Sequence, residues 1–190
     1  MISFKELCKE MQGQRIPYSK LLTTIEWNEK RSVITRRDHH CCTNCGKGET
    51  MSEFDEKRHE TWHFWPKYLE DVWVKQEDGT YEEGDTLDFE IAPKHYHMQV
   101  HHVCYIRNRL PWEYSNNYLV TLCNWCHWEF HQEYKVYVLE EDEESLAAGM
   151  EPCPKCHGTG SFPEYSHIQE GVCFRCGGDR YELPLVEIRG

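Results

Sequence analysis

Apolar residues in the first forty positions recur at the spacing of one helix face: Phe4, Leu7, Cys8 and Met11. Pro17 then interrupts the pattern, because proline lacks the backbone N–H that a helix interior needs. A second series follows and carries basic side chains: Leu21, Leu22, Ile25, Trp27, Lys30, Arg31, Arg36 and Arg37. These basic residues suit either a solvated helix face or contact with phosphate, and both interpretations stay open. Residues 1–40 are predicted to form an N-terminal helical segment.

The middle of the chain changes to strand-like patterns. Residues 50–97 are rich in aromatic and acidic side chains and predict a hairpin around an Asp78-Gly79 turn. Residues 100–103 and 118–122 favour two further strands, and residues 123–134 predict a helix directly after the second of them. This order predicts a β-β-α unit.

The composition is that of a folded globular protein, with 39% hydrophobic and 13% aromatic residues. We expect a cytoplasmic protein that does not enter the membrane, because no apolar run approaches the roughly 20 residues of a spanning helix and the first residues are too charged for a signal peptide.

The formal charge of −12 is unevenly distributed along the chain. Residues 1–50 carry +3, residues 51–140 carry −9 and residues 141–190 carry −6. Because affinity for nucleic acid comes mainly from phosphate contacts, such a chain is not expected to bind DNA tightly and indiscriminately by itself. A metal ion, a local basic face or a partner must contribute.

Eleven cysteines would suggest disulfides in a small secreted protein, but eight of them form four Cys-x-x-Cys pairs. The pairs are Cys42/Cys45, Cys123/Cys126, Cys153/Cys156 and Cys173/Cys176. In a reducing compartment they predict two structural zinc ions, each with four thiolate ligands. At the first pair, His39, His40 and Cys41 are alternative ligands, although only Cys42 keeps the two-residue spacing.

The last two pairs are separated by sixteen residues, which is a strong signal for a four-cysteine zinc ribbon over residues 151–190. An acidic linker at residues 139–150 precedes it. The ribbon either contacts nucleic acid or a protein partner or only adds stability, and candidate contact residues are Phe174, Arg175 and Arg180.

Four histidines mark the β-β-α unit. His101 and His102 are neighbours on a strand, so their side chains point to opposite faces. His127 and His131 are one helical turn apart and share a helix face. Three imidazoles of this unit can therefore converge on one ion, while the fourth addresses water or substrate.

Residues 20–135 resemble the HNH, or ββα-metal, endonuclease family. The resemblance rests on the histidine pair, on the Leu-Cys-x-x-Cys-His motif at residues 122–127, and on the Cys42/Cys45 knuckle preceded by Trp27 and Arg31. It implies hydrolysis of DNA phosphodiester bonds, with RNA as an open alternative.

The resemblance also implies roles for individual residues. The general base would be His102, and the ligands of one catalytic Mg²⁺, Mn²⁺, Ni²⁺ or Zn²⁺ would be His101, His127 and His131. A structural zinc would be bound by Cys42, Cys45, Cys123 and Cys126. The asparagine that orients the base is replaced at its usual position by Tyr118, so Asn117 or Asn116 would take this role.

The C-terminal Cys-x-x-Cys-x-Gly-x-Gly motif is similar to the cysteine-rich repeat of DnaJ-type chaperones. This similarity implies a zinc fold only, with zinc bound by Cys153, Cys156, Cys173 and Cys176.

Two other functions compete with the nuclease. In a catalytically silent module the histidines would serve zinc alone and the protein would only bind nucleic acid or protein. In a metalloprotease the residue after the first helical histidine would be a glutamate base, and Trp128 stands there, with Glu129 one position too late.

The sequence thus predicts an α+β protein: N-terminal helices, an HNH domain at residues 41–138 with an inserted hairpin, and a zinc ribbon. Its expected partner is DNA, with a protein partner on the acidic surface or ribbon as a further expectation. The oligomeric state is left open.

Overall fold

The computed structural model describes residues 1–77, 79–165 and 167–190, and its mixture of helices and sheets confirms the α+β class. The helices are α1 (Phe4–Met11), α2 (Tyr18–Leu21), α3 (Ile25–Arg37) and α4 (Asn124–Glu133). The strands are β1 (Met51–Asp55), β2 (Glu60–Lys75), β3 (Tyr81–Ala92), β4 (Met98–His102), β5 (Tyr105–Ile106), β6 (Leu119–Cys123) and β7 (Val138–Leu139). The chain divides into two compact units, residues 1–46 with 98–190, and residues 47–97.

The N-terminal helical segment consists of three helices whose starts are set by polar caps. At α1, the Glu6 backbone N–H donates to Ser3 Oγ at 3.3 Å and the Ser3 N–H donates to the Glu6 carboxylate at 2.8 Å, which forms a capping box. Pro17 lies at the N-cap of α2, where its missing N–H costs no helical hydrogen bond. The Thr24 side chain caps α3.

The β-β-α unit is formed by β4, β6 and α4. The two strands pair antiparallel with His101 opposite Val120, and α4 begins directly after β6. Cys123 is the N-cap of α4, and its Sγ accepts a hydrogen bond from the Cys126 backbone N–H at 3.4 Å. One cysteine thereby ends the strand and starts the helix.

Two basic residues of α3 fasten this unit to the N-terminal helices. Arg37 donates to the backbone carbonyls of Asn116 and Leu119, both at 2.7 Å. Asp38 accepts from the Thr121 backbone N–H at 2.9 Å and from Arg37. In the same way, Arg31 donates to a carbonyl at the start of β4 at 2.8 Å. The structure therefore uses Arg31 and Arg37, candidate phosphate contacts by sequence, to bond protein backbone.

The main core of the first unit draws on both ends of the chain. Its buried members are Leu7, Ile16, Tyr18, Leu21, Tyr105, Val136, Val138, Met150, Tyr181, Leu185 and Val186. The Tyr181 hydroxyl also donates to the Val136 carbonyl at 2.6 Å. Residues 181–186 of the predicted ribbon thus share a core with the N-terminal helices. The division of the chain into residues 1–40, 41–138, 139–150 and 151–190 stays a prediction.

The second unit is a three-stranded antiparallel sheet in the order β1-β2-β3. The chain enters and leaves it through Thr50 and Tyr96, which exchange hydrogen bonds. The predicted hairpin corresponds to β2 and β3. Gly79, in the turn, has a φ of +87°, which glycine tolerates best, whereas Asp78 lies outside the described residues.

None of the helices in the described ranges combines the length and apolar character that crossing a membrane requires.

Candidate metal centre

Helix α4 presents ligands to two different groups of side chains. Cys123 and Cys126, at its first turn, lie with Cys42 and Cys45, and the four sulfur atoms are within 4.8 Å of one another. The Cys45 and Cys123 sulfurs are 3.9 Å apart, close to the roughly 3.8 Å that tetrahedral zinc with 2.3 Å bonds requires. This four-cysteine group is compatible with structural zinc, and it includes Cys42 rather than Cys41.

A second four-cysteine group forms within the C-terminal ribbon and is also compatible with structural zinc. Cys153 and Cys173 have sulfurs 4.0 Å apart, and those of Cys156 and Cys176 are 3.8 Å apart. The Gly160 backbone N–H donates to the Cys156 sulfur at 3.4 Å, as expected for a thiolate held in a knuckle turn. The structure thus brings together the cysteines that the spacing had paired.

The other face of α4 contributes to a group of three histidines. His127 and His131 meet His101 of β4, and the three ring nitrogens that would serve as ligands lie within 4.8 Å of one another. All three residues are at most 4% exposed. Both ring nitrogens of His101 and Nε2 of His131 are buried and have no hydrogen-bond partner in the described part of the chain. Buried, unpartnered nitrogens that converge on one point fit a metal ion.

The electrostatics of the group favour neutral imidazole, the form that binds metals. Burial, followed by the neighbouring histidines and Arg180, holds the pKa of His101 well below its usual value. Burial and then the charge of Arg180 lower the pKa of His131 to about 3. The site therefore does not have to release protons from these two residues when an ion binds.

An open cavity of about 470 Å³ reaches the histidine group through His101. Its lining includes Phe130, whose ring is 4.8 Å from that of His101, and the carboxylates of Glu129 and Glu133 on the same side of α4. The cavity therefore borders one of the three histidines, His101, whose ring nitrogens are themselves buried.

His102, the predicted general base, lies on the opposite face of β4, as strand alternation requires. Its ring is stacked between Trp27 and Tyr105, with centroids 5.4 and 5.0 Å away, and meets the edge of Tyr114 at 4.6 Å. The residue is 2% exposed. The structure does not bring His102 into the histidine group, and its Nε2 has no hydrogen-bond partner among residues that are described.

The His102 ring is held by a carbonyl rather than by an asparagine. It hydrogen-bonds the backbone of Pro111. Asn116 and Asn117, the predicted orienting residues, lie exposed on a 3₁₀ turn, where the carbonyl of Asn116 accepts from Arg37. Over the described ranges, neither asparagine side chain bonds His102. Nothing in the sequence indicated this contact.

Arg180 is the residue near the site whose position the sequence did not indicate. The sequence suggested that Arg180 is a surface contact of the ribbon. Its guanidinium carbon instead lies 5.8 Å from the centroid of the Tyr18 ring, and its Nε is buried without a hydrogen-bond partner in the described chain. The other two candidate contacts of the ribbon are on the surface, where Phe174 is 72% exposed and Arg175 pairs with Glu182. No local motif distinguishes Arg180 from them.

Comparisons with known proteins give no relative: no family model, no curated protein and no solved structure matches this chain.

Proposed function

We propose that this chain is a metal-dependent endonuclease of the HNH type, which hydrolyses phosphodiester bonds of DNA. The observation that carries the proposal is that His101, His127 and His131 converge within a β-β-α unit. A separate four-cysteine group is available to bind structural zinc in the same unit. Structural zinc is closed by four ligands, whereas three protein ligands leave a position free for water or substrate.

The three histidines would hold a divalent ion, which when bound would polarise a phosphoryl oxygen and offset the charge that develops in hydrolysis. Their donor atoms favour Zn²⁺ or Ni²⁺ over Mg²⁺ or Mn²⁺, because imidazole nitrogen suits the former pair and carboxylate oxygen the latter. The cavity beside His101 is where the substrate phosphate would approach this position.

The general base is the part of the proposal that rests on the resemblance alone. His102 is assigned this role, yet a base must come within hydrogen-bond reach of the proton that it takes, and the ring lies among four aromatic side chains. Glu129, which lines the cavity on the side of His101, is the competing base. Comparing variants of the two residues decides between them.

The experiment measures nicking and cutting of supercoiled plasmid, single-stranded DNA and RNA by the zinc-loaded protein with added Zn²⁺, Ni²⁺, Mn²⁺ or Mg²⁺. His127→Ala should abolish cleavage and leave two zinc ions bound, because it removes a ligand of the histidine group only. His167→Ala is the matched control, since this histidine is exposed and far from the group in sequence. Cleavage that persists at the parent rate in His127→Ala would exclude the proposed site.

A catalytically silent binding module is the second candidate, and the burial of all four histidines favours it. In that case the histidine group would be a third structural site. The parent protein would then bind metal and nucleic acid without cutting any substrate under any of the four ions.

A further inference from the structure

The ribbon reaches into the histidine group at one point. The Nδ1 atom of His131 is 3.2 Å from the backbone carbonyl oxygen of His157, which directly follows the Cys153/Cys156 knuckle. A carbonyl oxygen can only accept a hydrogen bond, so Nδ1 must carry the proton. The lone pair of the neutral ring is then on Nε2, the buried atom that has no partner in the chain as described. This carbonyl therefore selects the tautomer that can bind an ion.

The position of the His157 carbonyl is set by the knuckle. The His157 N–H donates to the Cys153 carbonyl at 2.8 Å, and the Thr159 N–H donates to the Cys156 carbonyl at 3.0 Å. Residues 157 and 158 both have positive φ, +52° and +93°, so the turn is left-handed. The knuckle that these bonds shape also holds two of the four thiolates of the ribbon zinc site.

Arg180 supports the same turn from the far end of the ribbon. Its guanidinium donates to the carbonyls of Gly158 and Thr159, at 3.4 and 2.8 Å. The knuckle and Arg180 together fix the turn on both sides.

Gly158, the next residue of the turn, also lies against His131. A β-carbon added at this position would be 3.3 Å from Nδ1 of His131 and 3.6 Å from its Cε1. The contact with Nδ1 is tighter than most that real β-carbons make, so the turn or the ring would have to shift by a few tenths of an ångström. Glycine lets the carbonyl and the imidazole approach without this shift.

We propose that the C-terminal ribbon positions a ligand of the histidine metal centre without contacting the ion itself. Its knuckle fixes the tautomer of His131, and the centre binds its ion with full affinity only when the ribbon is loaded with zinc. This inference rests on the metal site of the proposed function, but not on the reaction. It makes the ribbon a control point, because loss of its zinc would weaken the histidine centre.

The test compares Gly158→Ala with Gly177→Ala. Gly177 follows the other knuckle of the ribbon, has a φ of +58° and has no atom within 4 Å of an added β-carbon. Alanine has a positive φ in both variants and is more strained at Gly158, so circular dichroism first checks that both proteins are folded; only the first variant presses on His131. Each protein is loaded with two zinc ions and titrated with Co²⁺ alone, whose d–d absorption reports nitrogen ligands.

Gly158→Ala should bind Co²⁺ about 10- to 100-fold more weakly than the parent, the loss usual for disturbed outer-shell contacts, while Gly177→Ala binds it as the parent does. Equal affinity in all three proteins would overturn the inference, even if the parent cleaves DNA normally. A parent that takes up no Co²⁺ would refute both the inference and the metal site on which the proposed function rests.

The tautomer gives a second measurement that needs no variant. Two-bond ¹H–¹⁵N NMR spectra of the zinc-loaded parent, before Co²⁺ is added, should show His131 protonated at Nδ1. Protonation at Nε2 would contradict the inference, and this holds even if Gly158→Ala fails to fold.

Discussion

Removing the ring of His102 should destabilise the protein strongly, whether or not this residue takes part in catalysis. Two aromatic rings stack on it and a third meets its edge. Each such pair contributes about 0.5–1.5 kcal/mol beyond the buried area, and deleting a buried ring also leaves a cavity. We expect His102→Ala to cost about 3–5 kcal/mol, as replacement of a buried aromatic ring by alanine usually does.

A chain of this size loses about 2–4 °C in Tm for each kcal/mol, so the Ala variant should melt roughly 6–20 °C below the parent. His102→Gln should cost less, because glutamine has a similar volume and its amide N–H can still donate to Pro111. Exposed His167→Ala should stay within about 0.5 kcal/mol of the parent.

Thermal unfolding of the zinc-loaded proteins without added ions measures these costs, and plasmid cleavage is then assayed below every transition. The Gln variant should be folded and inactive if His102 is the base, since an amide takes no proton at neutral pH. Parent-like cleavage by this variant would remove His102 from the mechanism. A loss below about 1 kcal/mol in the Ala variant would show that the aromatic packing around His102 is not as described.

Three further predictions concern the zinc site of α4, the half-buried Asp38 and the cavity. Cys123→Ser should release one zinc and unfold α4, because structural zinc contributes on the order of 10 kcal/mol. Co²⁺ binding at the histidines should be lost as well, and metal analysis that finds this binding retained would contradict the prediction. Burial raises the pKa of Asp38, but its hydrogen bonds with Arg37 and Thr121 hold the value below the usual one. Its contribution is therefore present above the ordinary aspartate pKa of about 3.9 and is lost as the pH falls through the lowered value. The difference in urea midpoint between the parent and Asp38→Asn should accordingly shrink at acid pH, and a constant difference would refute the assignment. Glu129→Gln should leave plasmid nicking unchanged if His102 is the base and abolish it if Glu129 is. As the control, the variant should bind Co²⁺ with the affinity of the parent.

The sequence by itself determined what depends on local backbone geometry. A Cys-x-x-Cys spacing places two thiols close enough to share one zinc ion, and histidines four apart on a helix share a face. Alternation along β4 placed His101 and His102 on opposite faces, and short-range pattern predicted the existence and order of β4, β6 and α4, with ends that differ from the observed ones by one or two residues. The α+β class, the four-cysteine ribbon and the three-histidine group could be predicted for this reason, whereas the joining of Cys42/Cys45 with Cys123/Cys126 was implied by the resemblance.

Only the tertiary structure decided what covers each face. The periodicity of β4 says nothing of Trp27 and Tyr105, which lie on other elements and enclose His102. It also gives no sign that the His157 carbonyl, 26 residues along the chain, meets His131. Such contacts depend on how distant segments pack, and packing is set by shape and buried area summed over the whole core rather than by any local spacing. A histidine in the same sequence motif can therefore lie in water or among aromatic rings, and in this fold His102 lies among aromatic rings.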